Sequence, residues 1–169
     1  DNSLYGIYSF DQTDPNSHYQ RIIDTLSGLG FHQIYTNSLQ SENIANFPNK
    51  DSVPMMNPLN KDMSFLRTSL IPGLVKAADH NIKNSTNSFK LFELGCVHIQ
   101  LGNNISDIKR NIRLTGIVVG NEIDETVHTD AISYDIFSIK GYIYALLYEK
   151  LHLSFSIEKV ENSLYDECY

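Results

Sequence analysis

Residues 57–75, NPLNKDMSFLRTSLIPGLV, decide the fold of this chain because they join an irregular loop to a helix. Asn57-Pro58 favours a turn, since the residue before a proline avoids the α region. Ser69 is predicted to cap a helix running to about Lys83, and Pro72 falls in the first helical turn, where no N–H is needed. Apolar residues at helical spacing predict one buried stripe, formed by Leu70, Ile71, Leu74, Val75, Ala78 and Ile82.

Arg67 stands just ahead of this helix between apolar neighbours, a place where an arginine usually has a carboxylate partner. The best candidate is Glu93 in residues 89–99, FKLFELGCVHI, which are apolar on both faces and predict a central strand. Glu93 shares a face with Leu91 and Gly95, and an unpaired carboxylate on a buried face is costly. We therefore predict an Arg67–Glu93 ion pair. A purely structural pair and a partly solvated Glu93 are the alternatives.

The remaining pattern indicates an α+β domain with three main helices. Residues 17–29 read as the first helix, which Gly28 and Gly30 end, and residues 31–39 as a strand. Residues 112–120 form a second long strand, which would pair with 89–99 as an antiparallel hairpin. Residues 121–131 read as an acidic loop, residues 134–137 as a short extended segment, residues 138–151 as the third helix and residues 154–160 as a strand, and a short strand is expected near 53–56.

The order of these motifs resembles the catalytic-like module of the bacterial-type phenylalanyl-tRNA synthetase β chain. Residues 57–75 are similar to that family's "NPLs…S.lRtsLlPgLL", and residues 91–95, LFELG, to its "lFEiG". Residues 21–35, RIIDTLSGLGFHQIY, and residues 134–147, YDIFSIKGYIYALL, resemble two further family stretches in the right order. The resemblance spans most of the chain and implies a class II aminoacyl-tRNA synthetase-like fold, with a mostly antiparallel sheet flanked by helices.

The resemblance also implies a function, which is non-catalytic for this chain. The family's β chain carries an inactive copy of the synthetase fold, and the α chain, its partner in an (αβ)₂ enzyme, performs the aminoacylation. The whole enzyme would use ATP, Mg²⁺, phenylalanine and tRNA(Phe), the tRNA being bound through other parts. Arg21 and Tyr19, on the first helix, are candidates for the α-chain interface. Structural roles are expected for Arg67, Glu93, Ser69, Pro72, Gly73 and Gly95.

The chemistry that an active synthetase needs is not visible in the sequence. Adenylate formation requires fixed positive charge on the phosphates, yet none of the four arginines is followed two places on by a glutamate, and no G-x-G-x-x-R occurs. Cys96-x-His98 is one pair of zinc-ligand types without a second pair at the usual spacing. Catalytic, cofactor-binding and metal residues are therefore expected to be absent.

Composition restricts the remaining possibilities. A net charge of −7 argues against wide contact with nucleic acid. Cys96 and Cys168 are expected to be free thiols, and a cytoplasmic protein without a membrane segment is expected. Residues 1–15 are interpreted as a linker from a preceding domain, and residues 16–169 as the synthetase-like module, which either is incomplete at its C-terminal end or has a disordered tail. The competing hypothesis is an independent synthetase-like paralogue that binds an amino acid or ATP.

Overall fold

The computed structural model describes residues 17–48, 51–102 and 104–159. The predicted linker 1–15 and Cys168 lie outside the described residues. The described chain contains four α-helices and eight strands. The helices are α1 (Ser17–Gly28), α2 (Glu42–Ala45), α3 (Ile71–Lys83) and α4 (Ile136–Tyr144), and the strands are β1 (His32–Gln33), β2 (Leu39–Gln40), β3 (Val53–Pro54), β4 (Phe65–Leu66), β5 (Phe89–Gln100), β6 (Ile108–Val119), β7 (Asn121–Ile123) and β8 (Ile132–Ser133).

The main sheet has the order β1-β5-β6, so β5 is its central strand. β5 and β6 form the predicted antiparallel hairpin, in which Glu93 is opposite Thr115 and Phe92 is opposite Gly116. β1 pairs with β5 in the parallel direction. Within the described residues β6 is one edge of this sheet and β1 is the other. The prediction of a central strand is confirmed, as is that of the hairpin.

Two smaller sheets flank the main one. The first has the strand order β2-β4-β3, and both of its strand pairs are antiparallel. Arg67 comes directly after β4. β7 and β8 form a second antiparallel pair. Residues 121–131 were expected to be a loop, and this is wrong for the segment that forms β7. The segment becomes a strand by pairing with β8, in which Asn121 lies opposite Ser133, and this pairing needs no apolar alternation. The Ser133 hydroxyl also donates to Asn121 Oδ1.

The helices begin close to their predicted positions, with two corrections. α3 starts at Ile71 with Leu70 at the N-cap position, so Ser69, the predicted cap, lies one residue ahead of the observed one. Pro72 falls in the first turn, as predicted. α4 starts at Ile136 rather than at residue 138, because the Asp135 carboxylate accepts from the Ser138 N–H at 2.8 Å and caps the helix earlier. α4 continues as a π-helical segment, Ala145–Lys150.

The core lies mainly between β5, α1 and the π-helical segment that follows α4. Leu26, Phe31, Phe92 and Leu146 form its buried cluster. α3 packs on the sheet through a narrower stripe than predicted. Leu70, Leu74 and Ala78 are buried, whereas Val75 is 51% exposed and Ile82 is 46% exposed.

Two predicted strands are not present as predicted. The strand at 31–39 is reduced to the short strands β1 and β2, because the chain leaves β5 at Thr36, whose polar groups bond Glu93 instead. Residues 154–159 have no regular structure, and no strand of the described chain pairs with them. Their alternating pattern alone is therefore insufficient to form the predicted strand. No helix in the described part of the chain has the length and apolarity needed to cross a membrane.

Candidate functional site: a buried arginine–glutamate pair

Arg67 and Glu93 form the predicted ion pair. Arg67 follows β4 and Glu93 lies in the middle of β5, so the pair joins the β2-β4-β3 sheet to the main sheet. Arg67 Nη1 lies 2.7 Å from Glu93 Oε1, and the two residues are 3% and 1% exposed. A partly solvated Glu93 is therefore excluded, and the burial requires that every charge in the site be compensated.

Thr36 is the third member of the site. Its hydroxyl donates to Glu93 Oε2 at 2.6 Å and accepts from Arg67 Nη1 at 2.8 Å. Its backbone N–H donates to Glu93 Oε1 at 3.3 Å, and its carbonyl accepts from Arg67 Nη1 at 3.3 Å. Thr36 thus satisfies both partners of the pair. Sequence reasoning missed it, because a threonine near the end of a short strand carries no signal of this role.

Backbone groups complete the network around Arg67. Its Nε donates to the Cys96 carbonyl at 3.0 Å. Its own N–H donates to the Ser38 carbonyl at 2.9 Å, and its carbonyl accepts from the His98 N–H at 3.0 Å. The guanidinium and the backbone of one residue therefore bind β5 and the segment after β1 together.

Gly73 and Gly95 leave the space that this network occupies. A Cβ on Gly95 would lie 2.6 Å from Arg67 Nη2 and 3.1 Å from Glu93 Oε1. A Cβ on Gly73, in the first turn of α3, would collide with the Thr36 side chain. Close packing explains both glycines, since neither has a positive φ. Near them, Ser69 Oγ accepts from the Ile71 N–H at 3.2 Å and satisfies one of the open donors at the start of α3.

The site thus unites most of the residues singled out from the sequence. Arg67, Glu93, Gly73 and Gly95 meet around Thr36. Arg21 and Tyr19 do not belong to it. Arg21 lies on the exposed side of α1, where its Nη2 donates to the Lys150 carbonyl at 2.6 Å, and Tyr19 is half-buried.

The network around Arg67 and Glu93 holds segments of the chain together rather than presenting groups for catalysis. The Arg67 guanidinium faces a carboxylate and carbonyl oxygens, so it is not presented to a ligand. A second arginine, Arg110 on β6, places Nε and Nη2 at 3.1 and 3.0 Å from Cys96 Sγ. Burial lowers the pKa of His98, and the charges of Arg110 and Arg67 lower it further. The described residues contain no group of three His, Cys, Asp or Glu side chains that could hold a metal ion.

An apolar cavity of about 320 Å³ lies on the opposite face of the sheet. Its walls include Phe31, Phe92, Leu114 and Tyr142. The Tyr142 hydroxyl donates to Glu122 Oε1 at 3.1 Å and accepts from Lys90 Nζ at 3.3 Å. Burial and the bonded Glu122 carboxylate raise the pKa of Tyr142 to about 12, so the hydroxyl keeps its proton at neutral pH.

A family model described as the phenylalanyl tRNA synthetase beta chain CLM domain matches residues 8–167. A phenylalanine–tRNA ligase beta subunit of Staphylococcus epidermidis (strain ATCC 12228) is 30% identical over 153 residues, which are 88% of this chain and 19% of that protein. The corresponding subunit of Buchnera aphidicola subsp. Acyrthosiphon pisum is 31% identical over 125 residues, which are 72% of this chain and 16% of that protein. The chain spans about a fifth or less of the length of these relatives.

Solved structures agree on the fold. A crystal structure of pyrrolysyl-tRNA synthetase from Desulfitobacterium hafniense matches with a TM-score of 0.65 and 14% identity, covering 89% of this chain and 52% of that one. The structure of PylSc, a pyrrolysyl tRNA synthetase of the same organism, matches with a TM-score of 0.63 and 13% identity, covering 87% of this chain and 49% of that one. The class II synthetase-like fold that the sequence predicts is therefore confirmed.

Proposed function

Because the chain belongs to the family of the phenylalanyl tRNA synthetase beta chain CLM domain, we propose that it is a non-catalytic, synthetase-like module of the beta subunit of a phenylalanine–tRNA ligase. In this role it supports the ATP-dependent charging of tRNA(Phe) with phenylalanine, which the alpha subunit performs. The chain itself charges nothing. In this proposal the module comprises residues 16–169.

The state of Arg67 is the observation that carries the non-catalytic assignment. Activation of an amino acid by ATP needs positive groups that can meet the phosphates. Arg67 lies in the most specific family motif of this chain, yet it is buried against Glu93 and Thr36. Moving it to a phosphate would leave Glu93 as an unpaired buried charge, which is strongly destabilising.

The described residues do not form a site that fits ATP and Mg²⁺. Arg67 bonds Glu93, and Arg110 bonds a thiol. No group of three His, Cys, Asp or Glu side chains in the described part of the chain could hold a metal ion. We therefore assign ATP and Mg²⁺ to the whole enzyme.

The partner in this proposal is the alpha subunit, within an (αβ)₂ heterotetramer in the cytoplasm. The buried network supports a scaffold role, because its hydrogen bonds and ion pair join separate segments of the chain and so hold the surface of the module in one shape. tRNA(Phe) is then bound by other parts of the enzyme, in keeping with the net charge of −7. Arg21 and Tyr19 on α1 are our candidates for part of the contact.

Binding to the alpha subunit, measured by co-purification and calorimetry, tests this proposal. We expect the 169-residue chain to bind the alpha subunit and to show no ATP–pyrophosphate exchange alone. Arg21→Glu is expected to weaken binding, whereas Lys76→Glu, a matched reversal of an exposed charge on α3, is not. Melting curves of both variants show whether Arg21→Glu weakens binding by removing a contact with the alpha subunit or by destabilising the chain through loss of the Arg21–Lys150 bond. Exchange activity by the chain alone, or no binding to the alpha subunit, would refute the scaffold role.

The apolar cavity favours one alternative, an independent synthetase-like paralogue that binds an amino acid or ATP. Its volume of about 320 Å³ is at the lower end of the range for small-molecule sites. A ligand at about a hundred times its dissociation constant stabilises a protein by ~2.7 kcal/mol. A rise in melting temperature with phenylalanine or ATP would support this alternative, and no change would favour the scaffold.

A further inference from the structure

α4 is packed on the domain more loosely than α3. None of the nine residues of α4 is fully buried, and Phe137 and Tyr144 are 73% and 47% exposed. In α3, by contrast, Leu74 and Ala78 are buried. Separating α4 from the sheet therefore exposes less additional apolar surface than separating α3 would, and few buried apolar contacts mean a low free energy of local opening.

The apolar cavity of about 320 Å³ lies between α4 and the main sheet. Ile139, Tyr142 and Ile143 line it from the helix, and Phe92 and Leu114 line it from the sheet. Because this space separates them, the facing side chains do not interdigitate at the density of a filled core. The cavity thus further reduces the free energy that holds α4 on the sheet.

Hydrogen bonds to one carboxylate fasten α4 in this position. Glu122 on β7 accepts from the Ser138 hydroxyl with Oε2 at 2.7 Å and from the Tyr142 hydroxyl with Oε1 at 3.1 Å. Lys90 Nζ donates to the same tyrosine hydroxyl at 3.3 Å and to the Leu29 carbonyl at 2.6 Å. A single carboxylate therefore binds two successive turns of the helix and links it to β7.

The end of α4 has the properties of a hinge. The segment that follows it, Ala145–Lys150, is π-helical, and sharp bends of helices occur at π-helical turns. This segment is anchored where α4 is not, because Leu146 belongs to the buried core cluster and the Lys150 carbonyl accepts from Arg21 on α1. A movement of α4 about Ala145 leaves that anchor in the core.

We propose that α4 is a flap that opens as a unit over the apolar cavity, with the start of the π-helical segment as its hinge and Glu122 as its latch. In the closed state Glu122 binds Ser138 and Tyr142, and α4 covers the cavity. In the open state water replaces these two bonds, the sheet side of the cavity becomes accessible, and the β5–β6 hairpin stays folded. The flap belongs to the fold of this chain and does not depend on the partner that the chain has.

Amide hydrogen exchange of the 169-residue chain, followed by NMR spectroscopy, tests the flap. In the wild type, amides 139–144 are expected to exchange about tenfold faster or more than those of β5 when both are corrected for intrinsic rates, and with less dependence on urea. Thr36→Val weakens the Arg67–Glu93 network, which the open state retains. It is therefore expected to speed the exchange of β5 and to leave that of α4 unchanged.

Glu122→Ala tests the latch, because it removes two bonds that exist only in the closed state. Exchange of α4 is expected to become about tenfold faster, the effect of two hydrogen bonds of ordinary strength on an equilibrium. Tyr142→Phe removes one of these bonds and is expected to have a smaller effect. Glu125→Ala, a matched change at an exposed carboxylate after β7, is expected to have none. Circular dichroism confirms that each variant is folded.

Two outcomes would overturn the proposal. Equal acceleration of α4 and β5 by Thr36→Val would show that α4 opens only when the whole domain unfolds. Unchanged exchange of α4 in Glu122→Ala would show that Glu122 is not a latch. Neither measurement involves the alpha subunit, so the flap and the scaffold role can fail independently.

Discussion

Gly95 faces Arg67 so closely that a Cβ at position 95 would lie 2.6 Å from Nη2 of the arginine. The guanidinium cannot easily retreat, because its other nitrogens bond Glu93, Thr36 and the Cys96 carbonyl. The same Cβ would also lie 3.3 Å from Leu70 Cδ2. The packing of the sheet against α3 therefore depends on the missing side chain.

Gly95→Ala is expected to destabilise the chain. Overpacking of this kind costs about 1–3 kcal/mol in the free energy of unfolding, and urea denaturation measures it. Gly28→Ala is the matched control, since a Cβ there meets nothing within 4 Å and alanine favours the helix. Equal denaturation midpoints for Gly95→Ala and wild type would show that Arg67 is not held as tightly as its bonds indicate.

Removal of one partner of the ion pair is expected to be more damaging than removal of both. Arg67→Met leaves the Glu93 carboxylate buried without its counter-charge, and such breaks cost about 3–5 kcal/mol. The double variant Arg67→Met with Glu93→Leu removes both charges and is expected to recover part of that loss. A double-mutant cycle from denaturant curves gives the coupling free energy. Additive losses would mean that the two side chains do not act as a pair.

Thr36→Val tests the hydroxyl that bridges the pair. The substitution keeps the shape of the side chain but removes the donor to Glu93 Oε2 and the acceptor for Arg67 Nη1. An unsatisfied buried polar group costs about 1–3 kcal/mol, so the unfolding midpoint is expected to fall. Thr36→Ser keeps the hydroxyl and is expected to retain more stability than Thr36→Val. If Thr36→Val unfolds at the same urea concentration as wild type, the hydroxyl does not stabilise the pair.

His98 gives the chain a dependence of stability on pH. Its pKa lies below 6.5 in the folded chain, mainly through burial, with Arg110 and Arg67 adding to the effect. Below pH 6.5 the unfolded chain therefore binds more protons at this residue than the folded chain does. The contribution of His98 to stability is present above that pH and is lost as the pH falls through the window below it.

His98→Gln is expected to remove this part of the pH dependence. The measurement compares urea midpoints of wild type and variant near neutral pH and in mild acid. The wild-type midpoint should fall more on acidification than the variant midpoint does. Parallel curves would show that other groups cause any acid sensitivity.

The sequence predicted the Arg67–Glu93 pair because the penalty for a lone buried charge is large and both residues stand in apolar surroundings. The β5–β6 hairpin followed from two long apolar runs joined by a short turn. Thr36 was missed because its role depends on two residues that are 31 and 57 positions away. No local sequence pattern indicates a contact between residues so far apart in the chain.

Other errors arose where tertiary packing chose between equivalent local patterns. Val75 and Ile82 have the spacing of a buried stripe, yet the sheet covers only the part of α3 that includes Leu70 and Leu74. Residues 154–159 alternate like a strand but have no partner strand in the described chain. The exposure of Tyr144 and Tyr148 could not be foreseen either, because it depends on which segments pack on these side chains.

The position of β6 at the edge of the main sheet has a consequence for handling the chain. An edge strand offers unpaired N–H and C=O groups, which act as a template for another strand. The first half of β6 carries Lys109, Arg110 and Arg113, and such charges protect an edge from aggregation. The second half, residues 114–119, LTGIVV, has no charge. We therefore expect aggregation of the isolated chain to start at this uncharged half, which a longer polypeptide or a partner would shelter.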